Sequence, residues 1–268
     1  MKTDCILLRL EQAIQSAGRS AVAVSGGVDS MTLAVAAHRQ APGEVEMFHA
    51  VSPAVPPIAT DRVRTYALQE GWQLTVVDAG EFSDDRYRSN PVDRCFFCKT
   101  HLYGCMTSRT ERTLLSGANT DDLGDYRPGL KAAAEHGVRH PYIEADICKQ
   151  DVRALAHHLG LEDIAELPAA PCLSSRVETG IRIDPVQLLN INAVENLIRE
   201  RLAPDTVRCR LRHSGIVIEL DAKSLEALDV AQREDLSRSI AGRFEATNPD
   251  IAVEFAPYRM GSAFLTGA

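Results

Sequence analysis

The chain lacks any uninterrupted apolar run near the ~20 residues that a membrane-spanning helix needs. Its opening, Met1 to Leu10, has no long apolar core and no small-residue cleavage site, so no secretory leader is expected and the chain reads as cytoplasmic. It also lacks a positive excess. Lys and Arg number 29 against 37 Asp and Glu, a formal charge of −8, which argues against a protein whose affinity comes from coating nucleic-acid phosphates. Neither nucleic acid nor a membrane is expected as a partner. No internal repeat, low-complexity tract or charge run stands out. The cysteine count argues against a disulfide framework as well. Seven cysteines (Cys5, Cys95, Cys98, Cys105, Cys148, Cys172 and Cys209), an odd number without an export signal, point to reduced thiols, metal ligands or catalytic thiols.

What is present is 268 residues with 45% hydrophobic content, enough for one large domain or two smaller ones. Helical spacing marks Ile6 to Ala17, Met31 to Arg39 and Ile58 to Glu70. Strand-like runs lie at Ala21 to Val24, Val45 to Val51, Gln73 to Asp78 and Leu114 to Gly117. Strands alternating with helices predict βαβ units and a doubly wound parallel α/β sheet. Further helices are expected over Pro128 to Val138 and Lys149 to Leu159. The proline-rich stretch ELPAAPCLSSRVETG then breaks the pattern and marks a boundary. Beyond it, Pro185 to Leu202 reads as a helix capped by Asp184. VRCRLRHSGIVIEL alternates as a strand pair turning at His213-Ser214-Gly215. A helix over Leu225 to Ile240 and a last strand over Ile251 to Phe255 complete a smaller α+β domain.

The stretch Ser25-Gly26-Gly27-Val28-Asp29-Ser30 sits between the first strand and the next helix. The glycines permit a sharp turn and close approach of backbone amides to a ligand. The helix that follows points its positive end at the loop, and Ser25 and Ser30 add hydroxyls. This is an anion cradle, yet the lysine of a Walker-type loop is missing and a carboxylate, Asp29, stands in its place. A carboxylate beside phosphates suits a bridging Mg²⁺. The plain alternative is a strand-to-helix turn with an N-cap serine.

Two more clusters carry chemistry. After the fourth strand come Gly117, Asn119 and the pair Asp121-Asp122. Carboxylates at the end where open α/β sheets bind ligands suit Mg²⁺. Arg127 follows, a guanidinium able to grip a phosphate or carboxylate. A polar loop with a helix cap would explain the same spacing. The second cluster is the C-x-x-C of Cys95 and Cys98, with Cys172 lying 74 positions further on. There is no second C-x-x-C to complete a Cys₄ zinc site. The options are a redox pair, half a zinc site, three thiolates of an iron–sulfur site with one open iron, or small buried residues. Arg208, Arg210 and Arg212 fall on one face of an alternating strand, either as a basic site or as an ordinary solvated face.

SGGVDS resembles the pyrophosphate loop of the PP-loop ATP-pyrophosphatase superfamily, whose members adenylate a substrate oxygen. Together SGGVDS, RCFFCK, GANTDDLGDYRPGLKAA and PCLSSR resemble the LarE family of ATP-dependent sulfur transferases, over about Ser20 to Glu219. The resemblance implies a PP-loop domain of the adenine nucleotide alpha hydrolase-like fold over residues 1–168. It implies a sulfur-transfer and oligomerisation domain over residues 169–268, with homo-oligomers built through the latter. It implies adenylation of a pyridinium carboxylate mononucleotide and its conversion to a thiocarboxylate for nickel-pincer nucleotide synthesis.

By the same resemblance, ATP phosphates go to Ser25, Gly26, Gly27, Asp29 and Ser30, with Gly117 and Arg127 beside the nucleotide and Asp121 on Mg²⁺. Cys95, Cys98 and Cys172 would hold a [4Fe–4S] cluster carrying sulfide from an external source. Otherwise Cys172 is spent as the sulfur donor. Asp29, Cys172 and Glu195 are the expected catalytic groups, and Arg176, Arg208, Arg210 and Arg212, with Ser175 nearby, the substrate contacts. Where the family carries a basic residue before Glu219, this chain reads Ile216-Val217-Ile218. The rival readings are a PP-loop tRNA thiolase, an amide synthetase, and a non-catalytic nucleotide- or zinc-binding regulator. The acidic charge disfavours the first and the lack of a glutaminase domain the second. A regulator would not turn ATP into AMP and pyrophosphate.

Overall fold

The computed structural model describes residues 2–124, 127–168, 171–245 and 251–264. Along the chain run α1 (Lys2–Ala17), β1 (Ser20–Ala23), α2 (Val28–Gln40), β2 (Val45–Ala50), α3 (Pro57–Glu70), β3 (Gln73–Val77), α4 (Asp85–Arg88), α5 (Arg94–Thr107), β4 (Thr113–Leu115), α6 (Pro128–Glu135), α7 (Pro141–Glu144), α8 (Lys149–His158) and α9 (Glu162–Ala165). Then follow α10 (Pro185–Leu202), β5 (Val207–Arg212), β6 (Gly215–Leu220), α11 (Ala222–Ala227), α12 (Val230–Phe244) and β7 (Val253–Pro257). The chain divides into two units, residues 1–83 with 95–170, and residues 84–94 with 171–268.

In the first unit four parallel strands take the order β3-β2-β1-β4. The alternation of side chains across each strand decides the two layers. Val22, Met47 and Leu115 enter one core with α1, α2, α8 and α9, while Ala21, Phe48 and Leu114 face Tyr103 and Met106 of α5 and Ala133 of α6. Helices thus cover both faces, as the apolar runs require of a parallel sheet. The chain leaves β1 toward β2 on one side and returns to β4 on the other. The carboxyl ends of β1 and β4 are therefore the switch point of the sheet, where open α/β sheets bind ligands.

In the second unit β5 and β6 form an antiparallel hairpin, and β7 adds to β6 in parallel. Asp184 caps α10 through the Val186 and Gln187 amides, with Pro185 in the first turn, and Leu188, Ile191, Val194 and Ile198 of that helix are buried. The structure corrects the expected single helix over Leu225 to Ile240. The chain breaks at Leu228-Asp229, because Asp229 and Gln232 form a reciprocal capping box that starts α12 afresh. It also adds α5 around the C-x-x-C, where no element was expected, and starts α2 at Val28, so Asp29 and Ser30 lie in the first helical turn.

Candidate active site

The loop after β1 is held open by two backbone constraints. Gly26 sits at φ 83°, and a Cβ there would lie 2.6 Å from the Ala59 carbonyl oxygen. Arg62 Nη1 donates to the Gly26 carbonyl at 2.8 Å. Gly27 caps α2 without a side-chain acceptor, so this end of a 13-residue helix keeps its positive pole for an anion. The Ser25 and Ser30 hydroxyls lie 2.9 Å apart, and the Ser25 amide donates to Ser30 Oγ at 3.0 Å. A Cβ on Gly117, just past β4, would come within 2.9 Å of Asp29 C and Ser30 N. Only a glycine lets β4 approach the first turn of α2 so closely.

Around this turn the polar groups converge. Asp29 Oδ1 accepts from Asn119 Nδ2 at 3.1 Å, and Asp29 Oδ2 meets Lys149 Nζ at 2.5 Å. Asp121 Oδ2 accepts from the Lys149 amide at 3.3 Å, and the Asp121 amide donates to Asn119 Oδ1 at 3.0 Å. Tyr142 Oη donates to the Asp29 carbonyl at 3.0 Å. Burial, and then the Asp29 charge, push the Tyr142 pKa far up, so it stays a donor. Arg127 pairs with Asp122 at 3.0 Å. The expected residues Ser25, Gly26, Gly27, Asp29, Ser30, Gly117 and Asp121 are thus brought together. The cation missing from the loop's own sequence arrives from the start of α8, 120 positions away from Asp29. A lysine in a first helical turn opposes the helix dipole. That local oddity was the one signal by which sequence reasoning could have found Lys149.

Cys95 and Cys98 lie one turn apart on α5, both half-buried. The i, i+3 spacing puts both thiols on one side of the helix. The residues just before them belong to the second unit. Tyr87 Oη bonds Ser174 Oγ at 2.7 Å, Asn90 Nδ2 donates to the Glu178 carbonyl at 2.8 Å, and the Ile183 amide donates to the Arg88 carbonyl at 2.8 Å. Arg94 is buried there, donating to Asn90 Oδ1 at 2.7 Å with its guanidinium over the Phe264 ring. Among the described residues no group of three or more His, Cys, Asp or Glu side chains is placed to hold a metal ion within either unit.

Cys172 is exposed and precedes the short turn Leu173–Arg176. Its carbonyl accepts from the Ser175 amide at 3.0 Å and from Arg176 Nη1 at 3.2 Å. Arg176 Nη1 also donates to the Pro171 carbonyl and to Ser175 Oγ. Glu195 holds this clamp from α10. It accepts from Arg176 Nε at 2.9 Å, Arg199 Nη2 at 2.9 Å and the Cys209 amide at 3.1 Å. Burial acts to raise the Glu195 pKa, but the Arg176 charge and these hydrogen bonds outweigh it and hold the carboxyl below its usual range.

Arg208, Arg210 and Arg212 share one face of β5, as alternation requires, while Val207, Cys209 and Leu211 go to the core. Arg210 is buried on Glu219 at 2.9 Å and donates to the Ser175 carbonyl at 3.0 Å. Arg212 reaches the other Glu219 oxygen at 3.0 Å. Arg208 lies over the Tyr258 ring, and burial, with Arg176 next, lowers its pKa.

No family model matches the chain. Among curated proteins, an uncharacterised protein of Synechocystis sp. is 34% identical over 224 residues, 82% of this chain and 83% of the relative. The pyridinium-3,5-bisthiocarboxylic acid mononucleotide synthase of Lactiplantibacillus plantarum is 32% identical over 216 residues, 79% of this chain and 78% of its own. The chain belongs to the LarE family. An uncharacterised protein of Methanocaldococcus jannaschii is 25% identical over 223 residues, 82% of this chain and 79% of that protein.

Proposed function

We propose that the chain is an ATP-dependent sulfur transferase that adenylates a carboxylate of a pyridinium carboxylate mononucleotide and converts it to a thiocarboxylate. The observation that carries this reading is the likeness to a synthase named for a bisthiocarboxylic acid product. A carboxylate oxygen is a poor leaving group, so exchanging it for sulfur calls for prior activation, and the glycine-bound loop with its incoming lysine suits that step.

In the first step a carboxylate oxygen attacks the α-phosphorus of ATP, and the bond to the bridging oxygen breaks. Pyrophosphate leaves into the Ser25–Ser30 loop, whose amides, hydroxyls and Lys149 take up its charge. Positioning and charge neutralisation do most of this work. Asp29 and Asp121, which converge on one residue, would hold Mg²⁺, and the ion would supply further neutralisation of the phosphates. Arg127 is assigned to the nucleotide. Arg208, Arg210 and Arg212 are assigned to the substrate phosphate. Arg176 and Glu195 are assigned to positioning rather than proton transfer, because Arg176 is engaged by the Pro171 and Cys172 carbonyls and Glu195 by Arg176, Arg199 and the Cys209 amide.

In the second step a sulfur nucleophile attacks the acyl carbon and AMP leaves. Thiolates suit this near neutral pH. Cys95, Cys98 and Cys172 would hold a [4Fe–4S] cluster, which supplies a transferable sulfide at its open iron. The i, i+3 thiols of α5 fit that donor set. The exposure of Cys172 favours a second route, in which its own thiolate attacks and forms a thioester. Loss of its Cα proton then breaks the Cβ–S bond, leaving a thiocarboxylate on the substrate and dehydroalanine at position 172.

Anaerobic purification with iron and acid-labile sulfide analysis separates the two routes. The cluster route predicts about four irons per chain and a broad brown absorption that is lost in Cys95→Ala. A colourless, iron-free protein that turns over once and loses the mass of H₂S refutes it. In both routes Cys172→Ala abolishes sulfur transfer and leaves adenylation intact.

A further inference from the structure

Both carboxylates assigned to the metal already touch one residue. Lys149 Nζ lies 2.5 Å from Asp29 Oδ2, and the Lys149 amide donates to Asp121 Oδ2 at 3.3 Å. The other Asp29 oxygen is fixed by Asn119 at 3.1 Å. The oxygen that Asp29 could offer to a cation is therefore the one the ammonium fills. The pair is reachable, since the Lys149 and Asp29 side chains are 31% and 27% exposed. The two partners differ in freedom. Asp29 is anchored in the first turn of α2, by Asn119 and through the Tyr142 bond to its carbonyl, whereas the Lys149 ammonium is held by Asp29 on a four-carbon stem that can swing.

We propose that Lys149 is a stand-in cation. Without nucleotide it neutralises Asp29 and competes with a bare divalent metal. When metal and nucleotide arrive together, the metal takes Asp29 and the ammonium moves to the phosphates. The local charge supports this. Asp29, Asp121 and Lys149 sum to one negative charge, a weak attraction for a lone divalent ion, and an incoming polyphosphate brings its own anionic partners for both cations. Metal and nucleotide binding are thereby coupled, and by linkage each strengthens the other. The proposal rests on the phosphate-loop reading above.

Mn²⁺ binding to the whole chain, followed by electron paramagnetic resonance with and without a non-hydrolysable ATP analogue, tests it. Lys149→Met should bind bare Mn²⁺ about twofold to fivefold tighter than wild type, the scale for removing one partly exposed competing ion pair. In the same variant the gain in Mn²⁺ affinity caused by the analogue should shrink by a similar factor. Lys149→Gln, which keeps a polar side chain, should behave alike and serves if the Met variant does not fold. Equal bare-metal affinity in wild type and both variants overturns the proposal. If wild type fails to bind the analogue but the variants still bind bare Mn²⁺ more tightly, the competition stands and the ATP reading falls.

Discussion

Glu195→Gln is the most demanding perturbation of the second unit. The carboxylate is 2% exposed and receives Arg176 Nε, Arg176 Nη2, Arg199 Nη2 and the Cys209 amide. A glutamine keeps the shape but removes the charge and turns an NH₂ toward donors. Arg176, itself 4% exposed, is left as an uncompensated buried cation. Breaking a buried pair from one side costs ~3–5 kcal/mol. That is a large part of the ~5–15 kcal/mol that holds a typical domain together. Arg199 is 45% exposed and returns to water, so it adds little. Urea unfolding followed by circular dichroism should show that loss. Hydrogen exchange should quicken in peptides covering 171–178 and 207–212. The double variant Glu195→Met with Arg176→Met removes both buried charges and should regain most of the stability. Its 171–176 peptide should stay fast, because the Arg176 bonds to the Pro171 and Cys172 carbonyls are gone. A Glu195→Gln variant within about 1 kcal/mol of wild type would refute the reasoning.

Further outcomes follow from the same geometry. Gly27→Ala meets nothing closer than Ser25 Oγ at 3.7 Å, so its Tm should match wild type, while on the proposed function ATP affinity should drop, because a methyl then intrudes where the loop amides are proposed to meet phosphate. Gly117→Ala should lose ~1–3 kcal/mol in urea unfolding, since its Cβ has only backbone to push against. The depressed Glu195 pKa adds stability that is complete above the ordinary glutamate value of 4.5 and is lost as pH falls through the lower folded value. The acid limb of a stability–pH curve should therefore be less steep in Glu195→Gln. Arg208→Gln should raise KM about tenfold to hundredfold for a phosphorylated substrate, the scale of one charged hydrogen bond, and leave a dephosphorylated analogue unchanged. Equal effects on both substrates would remove Arg208 from the phosphate.

Much of this was legible because it is local. An apolar run, two glycines and a second apolar run fix β1, the loop and α2 within a short span, and period-2 spacing places Arg208, Arg210 and Arg212 on one face. The acidic pair could be read as lying beyond β4, since Gly117 marks the strand's end. Lys149 left only the faint trace of a lysine in a first helical turn, because it is the return of α8 to the switch point that brings it to Asp29. The engagement of Arg210 and Arg212 by Glu219 depends on strand register, Arg208 standing opposite Glu219, which the hairpin sets. The helix around Cys95 escaped because Phe96, Phe97, Leu102 and Tyr103, mixed with Lys99 and His101, give no clean apolar stripe. The break before α12 did carry a signal, the Asp229-x-x-Gln232 box, masked by continuous helical spacing on either side.

The most direct test of the central claim is the stoichiometry of AMP against thiocarboxylate, measured with labelled ATP and a pyridinium dicarboxylate mononucleotide. The account predicts one AMP and one pyrophosphate for each thiocarboxylate formed, with AMP release persisting in Cys172→Ala when hydroxylamine is supplied to trap the acyl-adenylate. Thiocarboxylate without AMP, or ADP and phosphate in its place, would contradict it.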